Sequence, residues 1–131
     1  MPFEEKIVVT NEIVEVTLTG RVTSNDLPRG GNFFDRYVQR CNEENTMKLL
    51  IDLSGLSLIV DQGDRMKAGL DAAEFKDMGL RLVLVLRKGQ ISDERYFETI
   101  ASTRGASAIT AESVEEARAW LNAEESDSKS A

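Results

Sequence analysis

The sequence contains no histidine. That absence removes the one side chain whose ordinary pKa lies near neutrality, and with it His-based catalysis and His-ligated metal sites. Cysteine is almost absent too. Cys41 stands alone, which excludes an internal disulfide, a C-x-x-C redox pair and a cysteine zinc site. A reduced, cytoplasmic setting fits that usage. Long apolar runs are also missing. None approaches the roughly 20 residues needed to span a bilayer, so membrane insertion is not expected. The opening Met1-Pro2-Phe3-Glu4-Glu5 is acidic and lacks a signal-peptide pattern. Positive charge is scarce: 16 Lys and Arg face 23 Asp and Glu, a formal charge of −7. That balance argues against nucleic acid and anionic membranes as partners.

What is present suits one soluble domain. The chain has 131 residues, 41% of them hydrophobic and 30% charged. A chain of this length buries roughly two thirds of its unfolded surface, enough for a core without staples. Residues 1–121 carry the folding pattern. Residues 122–131 (NAEESDSKSA) hold no large apolar side chain and are expected to form an acidic, disordered tail.

Periodicity supplies the element order. Residues 6–10 (KIVVT) form a β-rich run, and Val14, Val16 and Leu18 alternate with polar residues up to Gly20, the pattern of a half-buried strand. Asn11-Glu12 between them predicts a tight hairpin. Phe33, Phe34, Tyr37, Val38 and Cys41 give one broad apolar face to a helix over about residues 32–44. The compact runs 48–53 (KLLIDL) and 81–86 (RLVLVL) predict strands buried on both faces, which favours parallel pairing. Between them, Met66, Leu70 and Ala73 fall at helical spacing, with Gly79 placed as a C-cap. Ser92, Asp93 and Glu94 open a third helix whose inward face is Phe97, Ile100 and Ala101. Residues 106–110 predict a last short strand. Ser113 and Glu116 form a capping box for a helix with Val114, Ala117 and Leu121 inward. Strands and helices alternate after the opening hairpin. The expected fold is α/β: a mixed, mostly parallel sheet of about five strands with helices on its faces.

In such sheets, sites gather outside the carboxyl ends of the strands. One segment there runs from Asp52-Leu53-Ser54-Gly55 through an apolar stretch to Val60-Asp61-Gln62-Gly63. This order resembles the STAS domain family, named for sulphate transporters and anti-sigma factor antagonists, whose pattern is D-L-S-G, an apolar stretch, then D-S-S-G opening a helix. Leu18-Thr19-Gly20-Arg21 resembles the family's L-x-G-x strand end, and residues 81–86 its LVLV strand. Gly105 followed by residues 113–121 resembles its terminal Gly and S-x-E-E-A helix. The resemblance covers residues 7–121.

The resemblance implies a STAS-like fold and a non-catalytic protein–protein interaction module, with no catalytic residue, cofactor or metal. It implies signalling and transcription regulation as the setting, and an anti-sigma factor that is also a serine kinase as the partner. The contact surface it implies is Asp61, Gln62, Gly63, Asp64, Met66 and Lys67, with Ser24, Asn25 and Asp26 adjoining. Self-association stays open.

The sequence departs from the family at the switch. Asp61 occupies the phospho-acceptor position, and a serine kinase does not phosphorylate aspartate. Its charge of about −1 imitates the −1.5 to −2 of phosphoserine only in part. The expectation is a surface fixed in one state, resembling the phosphorylated form. A plainer reading of Asp61, as a helix N-cap, stands beside it. Ser54 and Ser57 read as turn or strand hydroxyls, with a phospho-acceptor role as the sharper option. Asp52 is expected to bond backbone amides. Two other functions stay in view: a STAS accessory subunit of an ABC-type membrane transporter, and a small-ligand binder or enzyme. A receiver-type phospho-acceptor site at Asp52 and Lys88 fails for want of paired carboxylates after the first strand.

Overall fold

The computed structural model describes residues 3–10, 12–23, 31–59, 62–88 and 96–130. Its elements are β1 (Phe3–Thr10), β2 (Ile13–Thr23), α1 (Asp35–Glu43), β3 (Lys48–Ile59), α2 (Gln62–Ala73), β4 (Arg81–Val85), α3 (Tyr96–Thr103), β5 (Ser107–Ala111) and α4 (Val114–Ser130). The five strands form one sheet in the order β1-β2-β3-β4-β5. β1 and β2 are antiparallel, and the other pairs are parallel. This is the α/β fold expected from the alternation of elements.

The hairpin follows from its turn. Thr10 pairs with Ile13, and Glu12 takes a left-handed φ of 66°, as tight hairpin turns demand. From β2 onward, each strand leads through a helix to its parallel neighbour. Successive right-handed crossovers in one direction place their helices on one face. Accordingly Tyr37, Val38 and Cys41 of α1, Ala72 of α2, and Phe97 and Ala101 of α3 share a single core with Val14, Val16, Leu18, Leu49, Ile51, Leu82 and Leu84. α4 covers the opposite face, where Ala117 and Leu121 pack on Leu50, Val83 and Val85. Alternation in the strands thus sorts side chains between two cores.

Carboxylates fasten the helices. Glu5 accepts from the Tyr37 hydroxyl at 2.6 Å and from Arg36, joining β1 to α1. Glu15 receives Arg118 through two bonds of 2.7 Å, joining β2 to α4. Glu98 of α3 takes both the Thr110 N–H (2.5 Å) and hydroxyl (2.6 Å) of β5. α4 opens as the capping box predicts, with the Glu116 N–H donating to Ser113 Oγ at 3.1 Å.

Three boundaries differ from expectation. β2 does not stop at Gly20, and β3 does not stop at Leu53. Both strands continue in parallel register to the pair Thr23↔Ile59. A register shift absorbs the break: Thr17 faces Asp52 but Thr19 faces Gly55, so β3 carries an extra residue in a bulge. The third boundary is the C-terminal one. α4 runs to Ser130, through the segment read from sequence as a tail. Ala123, Glu124, Glu125 and Lys129 of that segment are good helix formers.

Candidate functional site

The β3 bulge positions the site. Asp52 Oδ1 accepts the Ser54 N–H at 3.0 Å and the Ser54 hydroxyl at 2.6 Å. Asp52 is therefore a backbone-binding residue, as expected. Ser54 is held by it, and Ser57 is exposed on the strand. β4 follows β3 only as far as Asp52↔Val85, so β2 and β3 project beyond it as a parallel pair. α2 starts at Gln62, shortly beyond the end of that pair. The parallel strands β2 to β5 run in sequential order. Without a reversal, neighbouring connections leave toward the same face, and the crevice that binds ligands in doubly wound sheets is not created.

The rear of α2 lies very close to α3. A Cβ on Gly69 would stand 2.8 Å from Ile100 Cβ and 2.9 Å from the Phe97 carbonyl oxygen. Gly69 and Ala72 are buried there. This turns the larger side chains outward. Met66 and Leu70 are each 39% exposed, and Met78, in the 3-10 turn after α2, is 42% exposed. Gly79 ends that turn with a left-handed φ of 75°. Among the described residues only one other large apolar side chain, Val8, is this exposed. Sequence spacing placed Met66, Leu70 and Ala73 on one helix without saying which side is buried; close approach requires small residues there, and Gly69 and Ala72 supply them. The small residues were the legible signal for the buried side.

Next to the apolar pair, α2 grips the chain entering α1. Lys67 Nζ lies 2.9 and 3.0 Å from the two oxygens of Asp71, and donates to the Gly31 carbonyl at 3.1 Å. Asp71 also accepts the Phe33 N–H at 3.2 Å, and its carbonyl takes Asn32 Nδ2 at 2.7 Å. Asp71 is buried, at 5% exposure, and this set of donors is what makes a buried carboxylate tolerable. Lys67 was expected as a contact residue; its ammonium group is engaged within the molecule. A groove of about 190 Å³ lies beside Leu70, lined also by Ala73, Glu74, Lys76 and Arg104.

The remaining expected residues divide simply. Gly63 is exposed on the first turn of α2. Gln62 and Asp64 belong to that turn by backbone. Asp61, Ser24, Asn25 and Asp26 lie outside the described residues. The one cysteine is remote from α2 chemistry: Cys41 is fully buried, and burial pushes its thiol up to about 11, leaving it protonated and unreactive. The Tyr37 hydroxyl is driven higher still, first by burial and then by its bond to Glu5. No helix among the described residues is long and apolar enough to cross a membrane. No protein-family model matches the chain, and a search of curated proteins finds no match.

Proposed function

We propose that this chain is a cytoplasmic, non-catalytic docking module of the STAS type, resembling an anti-sigma factor antagonist in transcriptional signalling. Its partner, an anti-sigma factor of the serine-kinase kind, lands on the outward face of α2. One observation carries the reading. Three of the four exposed large apolar side chains among the described residues lie on α2 and the turn behind it, and exposed apolar clusters mark interaction surfaces. The motif order from Asp52 to Gly63, continued in a strand that leads into that helix, agrees with it.

Asp61 takes the place of the phosphorylated serine in this reading. The surface carries a permanent negative charge ahead of a helix start, where a helix favours one, and kinase activity of the partner does not reset it. Capture from native lysate tests the reading. Wild type is expected to retain an anti-sigma kinase. Leu70→Asp is expected to lose it, and Thr17→Asp, on an exposed strand position, to keep it. Retention of an ABC-type ATPase instead would favour the transporter-subunit alternative. Undiminished capture by Leu70→Asp, with folding intact, would refute the reading.

A further inference from the structure

The two edges of the sheet are treated differently. β5 is five residues long, and its Thr110 N–H is taken by the Glu98 carboxylate of α3. β1 is eight residues long and pairs with β2 in unbroken register from Phe3↔Gly20 to Thr10↔Ile13. Among the described residues nothing bonds to the outer backbone edge of β1. A long, regular, open edge is a template for another strand.

We infer that β1 pairs antiparallel with β1 of a second copy, about a two-fold axis at Val8. The side chains of β1 decide both occupant and register. A two-fold axis normal to the sheet keeps each face on its own side, so it pairs residues of the same face. An axis at Glu5 would oppose two carboxylates, and one at Lys6 two ammonium groups, both unfavourable. An axis at Ile7 would set Lys6 against Val8 and Glu5 against Val9. An axis at Val8 sets Val8 against Val8 and Ile7 against Val9 twice, with Lys6 against Thr10. All three central pairs are then β-branched and apolar, the favoured kind across strands. This register also covers Val8, which is 42% exposed and lies far from α2 in the sheet order. Ile7 and Val9 are already packed against the main core, so the paired segment is fixed before association. Five residue positions overlap, far below the roughly 1,200 Å² of a permanent interface. The dimer is accordingly weak and concentration-dependent.

Two variants and sedimentation test this. Wild type is expected to pass from monomer to dimer through the high micromolar range, and Val8→Glu, at an exposed position, to stay monomeric and folded. Val8→Cys places two thiols at antiparallel Cα spacings of about 4.5–5.5 Å, within the reach of a disulfide. Lys6→Cys leaves its thiols about 14 Å apart along the strands. Under mild oxidation Val8→Cys is expected to form covalent dimer about tenfold faster than Lys6→Cys or more. Cys41 is buried and does not compete. A wild-type monomer at every concentration, or a dimer that Val8→Glu leaves intact, overturns the inference. So does equal cross-linking of the two cysteine variants.

Discussion

Gly69→Ala is the perturbation that most sharply separates local preference from packing. Judged as an isolated helix, the change should help, because alanine is better than glycine in a helix interior by about 1 kcal/mol. The structure says the opposite. The added methyl would stand 2.8 Å from Ile100 Cβ, 2.9 Å from the Phe97 carbonyl oxygen and 3.1 Å from Ile100 Cγ2. Two of those three atoms cannot swing away, since one is a Cβ and one is backbone. Relief therefore requires α2 and α3 to separate. Forced overpacking of this kind costs about 1–3 kcal/mol. The cost offsets or exceeds the propensity gain, leaving a net loss of up to about 2 kcal/mol. For a chain of this size that is a fall in Tm of roughly 4 °C per kcal/mol. Urea unfolding followed by circular dichroism measures it directly. Gly31→Ala is the control: a Cβ there meets nothing within 4 Å, so its stability should stay within about 0.5 kcal/mol of wild type. A Gly69→Ala protein more stable than wild type by the full helix-propensity gain of about 1 kcal/mol would mean that α2 does not lie this close to α3. The outward placement of Met66 and Leu70 would then lose its cause.

Further outcomes follow from the same contacts. Asp71→Ala should cost about 2–4 kcal/mol, since it strands the Phe33 N–H and leaves Lys67 without its carboxylate; amide exchange at Phe33 and Phe34 should quicken more than exchange in β4, and uniform exchange would argue against the clamp. Alkaline pH should destabilise the fold. The Cys41 thiol is raised from 9.0 to about 11 in the folded chain, so the unfolded chain releases that proton first and unfolding gains as pH rises. Stability present below pH 9 is lost progressively up to about pH 11, and Tyr37, shifted the same way, extends the loss to higher pH. Urea midpoints across this range should fall less steeply for Cys41→Ala than for wild type, and parallel slopes would exclude a role for the thiol.

Much of this architecture was legible because its signals are local or periodic. Alternation at Val14, Val16 and Leu18, the hairpin at residues 11–12, the Ser113 cap and the stop at Gly79 each express a rule acting over a few residues. The compact runs 48–53 and 81–86 announced parallel, doubly buried strands. What could not be read depends on distant partners. Gly20 looks like a stop until β3 is available to continue the pairing, and the strand at 48–53 looks complete until a bulge is seen to carry it through Ser54 and Gly55. Which side of α2 is buried could not be read for the same reason. Helical spacing identifies a stripe of larger apolar residues, but which side is buried was decided by α3, which comes close enough to accept only Gly69 and Ala72. The tie of Lys67 to Asp71 could not be read either, because Asp71 is itself buried against the segment at residues 31–33.

The most direct test of α2 as the docking face is a hydrogen-exchange footprint of the captured complex against the free protein. Protection concentrated in residues 62–78, with α4 and the sheet amides unchanged, is the predicted pattern. Protection confined to other elements, with α2 exchanging as in the free chain, would contradict the account.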